Sequence, residues 1–466
     1  MMRLIVSLLT LFASFCAQAE LPASVADALK KAGIPQQNVA VYVRAVENDS
    51  PILSQNADRA MNPASVMKMV TTNAALDLLT PAYRWKTEVY RDGSLANWQL
   101  EGNLIIKGYG DPSFKAQEFW RLLISLRQAG IKKISGDLII DKSYFAATTA
   151  GESFDSEKWR AYNALPSAFL VNGRNTSFKF TAGDEAVNIT QEFELPEVVI
   201  VNKLKRVTGA CGDWRSRMTY DVQSANDKAV VTFNGSYAVG CGERYLELSL
   251  FEDEQYAFYT FRKLWRELGG EFNGALKLQQ TPLNAVKVLE QASEPLGSIV
   301  RDINKWSNNV MARQLLLTIA AERVGAPATE LKGINAIQAW FSANGFKLNG
   351  LVIENGSGLS RVERISAELL GQMLVYAYNS PVMPEMMASL PILSIDGTIQ
   401  QRMKDSQSNG RAHLKTGSIN GVSAIAGYVL DANSHRHVLV MLVNDAKAGA
   451  SKVAQDALIE WVHQQP

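Results

Sequence analysis

Apolar and polar positions change their period several times along this chain, and each change predicts an element. Pro22 to Gly33 has helical spacing and stops at a glycine, the residue that most readily takes the left-handed backbone of a helix end. Val39 to Val46 alternates and is rich in β-branched residues, the pattern of a strand. The turn cluster Glu47-Asn48-Asp49-Ser50-Pro51 then returns the chain through Ile52 to Ser54 as the second arm of a hairpin. Asn62-Pro63-Ala64-Ser65 has the chemistry of a helix start, and Val66 to Leu79 carries the apolar spacing of a buried helix.

From about Tyr90 to Pro282 the character changes to short strand-like runs, among them Leu104 to Lys107, Leu138 to Asp141, Val198 to Asn202 and Val230 to Phe233. Gly, Asp and Asn punctuate them, which predicts one or two β-rich modules. Beyond Leu296 the helical period returns, most clearly over Ile303 to Ala321 and Leu331 to Asn344. Two apolar strands, Ala424 to Leu430 and His437 to Val443, precede a closing helix from about Ser451 to Val462. No internal repeat or low-complexity tract is visible, although Cys211-Gly212 and Cys241-Gly242 echo each other.

Composition adds the compartment. The 466 residues, 47% hydrophobic and 20% charged, suit a soluble protein with length for two or three domains. Lys+Arg 47 against Asp+Glu 46 leaves a net charge of +1, which gives no footprint for nucleic acid or another polyanion. Arg3, the apolar Leu4 to Phe15 and the small residues of Ala17-Gln18-Ala19 form a secretory leader, so a signal peptide is expected over 1–19 and a mature chain from Glu20. The apolar run falls short of the roughly 20 residues that span a bilayer, so no transmembrane anchor is expected in the mature chain. Phe15 stands before Cys16 where a lipid-attachment site needs a small residue. Cys211 and Cys241 remain, and in an oxidising space they predict a disulfide that stabilises by about 3 to 4 kcal/mol in the chain-entropy picture. The four histidines, His413, His435, His437 and His463, lie far along the chain from both cysteines with no ligand spacing, so neither a metal nor another cofactor is expected.

Three short elements carry candidate chemistry: Ser65-Val66-Met67-Lys68, Ser307-Asn308-Asn309 and Lys415-Thr416-Gly417-Ser418. A serine hydroxyl is a poor nucleophile until a base takes its proton. At a helix start, a lysine three positions on falls one turn away on the same face. It can act as a base only if burial or a neighbouring cation lowers its proton affinity, and Lys415 is the candidate neighbour. Lys415 would also attract a substrate carboxylate, and the backbone N–H groups of Ser65 and Ser418 could form an oxyanion hole. Ser307 would pass a proton toward a leaving amine while Asn309 holds Lys68 and the substrate amide. Ser-x-x-Lys is weak alone, since a chain this long holds roughly two by accident; Ser-x-Asn recurs at Ser54, Ser224, Ser342 and Ser418. Ser307 is chosen because the apolar helical stretch Val310 to Ala320 follows it. Lys415-Thr416-Gly417 is rarer and precedes strand-like sequence, where a backbone edge could pair with an extended peptide.

In this order the three elements resemble the penicilloyl-serine transferase superfamily. The long stretch between Ser65 and Ser307, against the compact one between Ser307 and Lys415, resembles the low-molecular-mass class C penicillin-binding proteins, the DacB-type D-alanyl-D-alanine carboxypeptidase/endopeptidases. Supporting stretches are Leu100 to Leu104, Gly110-Asp111-Pro112, Ile134 to Leu138, Asn355-Gly356-Ser357-Gly358-Leu359-Ser360-Arg361, Leu390-Pro391 and Asp396-Gly397-Thr398. The sequence departs from the family pattern at Asn308, where aspartate is commoner, and at Ser394, where glycine is common. The resemblance implies an α/β (α+β) transpeptidase/β-lactamase-like domain, an antiparallel sheet flanked by helices, built from 20–89 and 285–466, with inserted β-rich domains over 90–284. It implies a periplasmic enzyme acting on peptidoglycan peptides through an acyl-enzyme on Ser65 and acylated by β-lactams.

Gly110 to Ser113 reads as a turn or as a substrate-facing loop. No Gly-x-Ser-x-Gly elbow is present, and His413 reads as a strand residue beside Lys415. A serine β-lactamase is the nearest rival and would need a carboxylate-activated water, for which Glu354, Glu363 and Glu368 lie in the right interval. A cell-wall or β-lactam binding protein without turnover is the second rival, disfavoured by the presence of both lysines and both serines.

Overall fold

The computed structural model describes residues 20–147, 154–225 and 227–465. The expected leader over 1–19 lies outside them. A five-stranded antiparallel sheet organises the first part of the fold, in the order Leu53–Gln55, Val39–Ala45, Arg436–Asn444, Val422–Leu430, Ala412–Ile419. Both ends of the chain meet in it, because Val39 pairs with Val443 and Ala45 with His437. Side chains that alternate along a strand serve two cores. Val39, Val41, Val43, Ile425, Leu439 and Met441 face a layer made by the helices Ala23–Ala32 and Lys452–His463. Ala40, Tyr42, Ala426, Val438, Val440 and Leu442 face the larger helical layer that contains Met67–Leu79, Asn309–Arg323, Glu330–Ala343 and Ala367–Tyr378. The first helix stops at Gly33, whose φ of 68° lets its N–H reach Lys30 O at 3.0 Å.

Ile303 to Ala321 is not one helix. Leu296–Trp306 ends at Ser307 in the left-handed region, φ 58°, and a new helix runs Asn309–Arg323. Asn308 caps the second helix by accepting the Met311 N–H at 3.1 Å, so an asparagine does there what an aspartate would.

Between the two halves lies a stretch rich in strands. One five-stranded sheet runs Leu276–Leu278, Leu138–Asp141, Leu104–Gly108, Lys86–Arg91, Val286–Ala292, so the strand on which the chain leaves the first part, Lys86–Arg91, pairs with the edge strand on which it returns, Val286–Ala292. The stretch is less purely β than its sequence predicts. Ala116–Gln128 and Asp253–Glu267 are helices that bury Phe119, Leu122, Leu123 and Leu126 from one and Tyr256, Phe261, Leu264 and Trp265 from the other in a shared core. The expected disulfide is present between Cys211 and Cys241. The long strands Val198–Ala210 and Lys228–Gly240 run parallel and bring Ala210 opposite Gly240; the echoed Cys-Gly pairs are the two ends of this pairing, with Gly212 and Gly242 at φ 56° and 59°. Among the described residues no helix is long and apolar enough to cross a membrane.

Candidate active site

The nucleophile turn is built before the helix that follows it. Asn62 accepts the Ala64 N–H through Oδ1 at 2.9 Å, and its own backbone N–H and carbonyl are held by the Asn444 side chain at 2.9 and 3.0 Å. Its Nδ2 donates to Ser360 O at 2.9 Å. Ala64 takes a positive φ of 45°, and Ser65 sits in the single 3-10 turn Ala64–Val66 that leads into Met67–Leu79. The turn is thus tied to the end of the central sheet and to the Asn355 to Arg361 loop.

Lys68 lies one turn on and is fully buried. Its Nζ donates to Ser65 Oγ at 3.0 Å, to Asn309 Oδ1 at 2.6 Å and to the Ser357 carbonyl. Lys415, also fully buried, donates to Ser307 Oγ at 2.9 Å and to Thr416 O at 2.7 Å. Burial and then the Lys415 charge push the Lys68 amine well below the ordinary lysine range, against an opposing pull from Glu363. Burial brings Lys415 down to about 7. Two desolvated amines so placed disfavour being protonated together, so the less favoured one gives up its proton more readily than an ordinary lysine and can serve as a base.

Lys415 to Ser418 lie on Ala412–Ile419, the outermost strand of the sheet. The beginning of that edge is covered, because Leu393 N–H donates to Ala412 O and Leu414 N–H to Pro391 O. Alternate residues of a strand turn their backbone groups to the same side, so Thr416 and Ser418 present theirs to the uncovered part of the edge. Gly417 brings the strand against the nucleophile turn: a Cβ there would lie 2.5 Å from Pro63 O and 2.8 Å from Ser65 N. Thr416 and Thr398 share a hydroxyl contact at 3.0 Å, and Lys305 pairs with Asp396 at 2.5 Å, which fixes that loop beside Ser307.

Of the eight site residues taken from the sequence, Ser65, Lys68 and Asn309 are joined by hydrogen bonds, as are Lys415 and Ser307; Gly417 touches the Ser65 turn, and Thr416 and Ser418 flank it on the same strand. Sequence reasoning missed Asn62, Asn444 and the Ser357 carbonyl; Asn-x-Ala ahead of the serine and the Asn-Gly-Ser-Gly turn were the available signals. Gly110 to Ser113 is a turn closed by Asp111 Oδ1, which accepts from Ser113 N and Oγ at 2.8 and 2.7 Å, and Gly110 O accepts from Gln314 in the first half of Asn309–Arg323. Ser394 has φ 65°, the conformation that favours glycine at that place. Glu363 is fully buried and its Oε1 accepts three backbone N–H groups, so that oxygen has no room to activate a water. Among the described residues no cluster of three or more His, Cys, Asp or Glu is placed to hold a metal ion.

The chain resembles known proteins over most of its length. The sequence pattern of the D-Ala-D-Ala carboxypeptidase 3 (S13) family matches residues 21–465. The chain is 26% identical to the D-alanyl-D-alanine carboxypeptidase DacB of Haemophilus influenzae, over 91% of this chain and 89% of that one. It is also 26% identical to the D-alanyl-D-alanine carboxypeptidase of Actinomadura sp. (strain R39), over 87% and 78%. The crystal structure of penicillin binding protein 4 (dacB) from Haemophilus influenzae superposes with a TM-score of 0.78 at 24% identity, covering 94% of this chain and 99% of that one. A second structure of that protein, complexed with a β-lactam, gives a TM-score of 0.75 at 24% identity, covering 95% and 100%.

Proposed function

This chain belongs to the D-Ala-D-Ala carboxypeptidase 3 (S13) family, and on that premise we propose that it is a serine D-Ala-D-Ala carboxypeptidase and/or D,D-endopeptidase of peptidoglycan, working through an acyl-enzyme on Ser65. The observation that carries the residue assignment is the Lys68 Nζ, held between Ser65 Oγ and Asn309 Oδ1 with a second buried lysine bonded to Ser307.

Lys68 in its neutral form takes the Ser65 proton as the oxygen attacks the carbonyl of the penultimate D-Ala. The tetrahedral oxyanion is met by the N–H groups of Ser65 and Ser418, the latter on the open strand edge. The C–N bond breaks as the amine of the departing residue receives a proton relayed through Ser307, and the acyl group stays on Ser65 until water releases it. Asn309 holds Lys68 and the substrate amide. Lys415, with Thr416 and Gly417, draws in the terminal carboxylate. A β-lactam presents the same carbonyl and carboxylate, so it acylates Ser65 as well. The leader, the disulfide in an exported chain and a cell-wall substrate support placing the enzyme in the periplasm. The reading assigns 20–89 and 285–466 to the catalytic domain and 90–284 to the insert.

Incubation of the chain from Glu20 with a labelled penicillin, followed by intact mass and peptide mapping, tests the assignment. A penicilloyl group on Ser65, lost in Ser65→Ala together with D-Ala release from a D-Ala-D-Ala peptide, is the expected result. Rapid drug hydrolysis would make it a β-lactamase, and an adduct without peptide turnover would make it a binding protein.

A further inference from the structure

The buried carboxylate of Glu363 has no part in the steps above, yet it sits at the base of the loop that braces the nucleophile. Its Oε1 gathers the backbone N–H groups of Glu354, Asn355 and Gly356 at 3.1, 3.0 and 3.1 Å. The last of these three and the residue after it reach the nucleophile helix: Gly356 O accepts from Thr71 Oγ1 at 2.7 Å, and Ser357 O accepts from Lys68 Nζ. At its other end the loop closes on Ser360, whose Oγ accepts the N–H of Val362 and Glu363 at 3.0 Å each and whose carbonyl takes the Asn62 side chain. Gly358, at φ 80°, lies so near the Ala64 carbonyl that a Cβ would come within 1.9 Å. The loop is a collar around the Ser65 turn, and one carboxylate oxygen holds its first three N–H groups in place.

We propose that Glu363 is a positioning residue for acylation, which sets the Ser357 carbonyl against Lys68 Nζ and supplies a buried negative charge that bears on Lys68. The inference rests on the assignment of Ser65 and Lys68 above. Three converging N–H donors favour the ionised carboxylate, and the charged groups that bear on it from neighbouring helices are cationic: Lys68 on Met67–Leu79 and Arg313 on Asn309–Arg323. Arg313 in turn feels Glu330 and Glu354. Burial is the larger effect and leaves the Glu363 carboxyl above its ordinary value, and the three N–H donors and Lys68 limit that rise. The charge restrains the fall in Lys68 basicity that burial and Lys415 cause, and the turn fixes where the Lys68 lone pair points.

These two contributions separate in the pH profile of acylation. The second-order rate of labelled-penicillin acylation at Ser65 is measured against pH for the wild type, Glu363→Gln and Glu363→Ala. Glutamine keeps an oxygen for the three N–H groups but loses the charge. Lys68 should then lose its proton more easily, and the acid limb should move down by about one pH unit with most of the plateau retained. Alanine loses both, so its plateau should fall by about a hundredfold. A Glu363→Gln profile that superimposes on the wild type, or an alanine variant with an undiminished plateau, overturns the proposal. If the glutamine variant does not fold, Glu363→Asp decides: the limb should stay in place while the plateau drops, and a full plateau refutes the positioning role. A wild type that forms no Ser65 adduct would sink the assignment itself, which is a different outcome from a normal adduct with an unmoved limb.

Discussion

Gly417→Ala isolates the fit between the edge strand and the nucleophile turn. Gly417 is not among the glycines with positive φ, so alanine meets no backbone strain there. Its Cβ would stand 2.5 Å from Pro63 O, 2.8 Å from Ser65 N and 3.0 Å from Val66 N. All three neighbours are backbone atoms of a turn already pinned by Asn62 and Asn444, so none can swing aside. To reach even a tight 3.0 Å contact, strand and turn must part by about half an ångström, and relaxed packing needs nearly twice that. Such overpacking costs about 1 to 3 kcal/mol, which this chain can absorb and still fold. A displacement approaching 1 Å at the reacting atoms costs about a hundredfold in rate. Stopped-flow acylation by a chromogenic β-lactam should therefore fall by about two orders of magnitude in a variant that still unfolds cooperatively. Gly449→Ala is the control, since a Cβ there meets nothing within 4 Å. Acylation by Gly417→Ala within threefold of the wild type would refute the close approach of strand and nucleophile.

Other consequences follow from the charges and the cross-link. Lys415→Ala removes the cation that helps hold Lys68 below its ordinary range, so Lys68 regains proton affinity and the acid limb of residual acylation should move to higher pH, opposite in sign to Glu363→Gln; a limb that moves down would contradict it. With Lys415 brought to about 7 by burial, its cationic form is lost as pH rises through that value, so kcat/KM for carboxylate-terminated peptides should fall on the alkaline side while an amidated peptide shows no such limb. Removing the disulfide with Cys211→Ser and Cys241→Ser should cost about 3 to 4 kcal/mol in the unfolding of the inserted stretch, read by urea denaturation, with Ser65 acylation unchanged.

What the sequence disclosed about the site follows from how local each relation is. Ser65 and Lys68 are one helical turn apart, so their meeting was readable from spacing, and the strands Ala424 to Leu430 and His437 to Val443 were readable from unbroken apolar runs. The helices Ala116–Gln128 and Asp253–Glu267 had a signal too, in the spacing of Phe119, Leu122, Leu123 and Leu126, but it was submerged in the surrounding strand-like runs. The 355–361 loop was visible as an Asn-Gly-Ser-Gly turn, but which of its groups act was not, because its work is done by carbonyls and N–H groups that only the folded turn brings together. The parallel pairing behind the Cys-Gly echo is likewise a tertiary fact, since strands that close in sequence more often pair antiparallel.

Ser307 shows the limit most sharply, because the apolar period runs straight across it from Ile303 to Ala321 and predicts continuous helix. What breaks the helix is a pair of polar interactions at its seam: Asn308 caps the next helix, and Ser307 turns left-handed to offer its hydroxyl to Lys415. A left-handed non-glycine residue costs about 1 to 2 kcal/mol, a strain held by the groups that need the serine there. Comparison of Ser307→Gly with Ser307→Ala tests this apart from chemistry, since both lack the hydroxyl and both should lose peptide turnover alike. In a helix interior alanine is the more stable by about 1 kcal/mol; at a left-handed position the order reverses, because only alanine carries a Cβ against the backbone. Urea denaturation should therefore find the glycine variant more stable by about 1 kcal/mol, and an alanine variant that is the more stable of the two would mean that the helix runs through Ser307 after all.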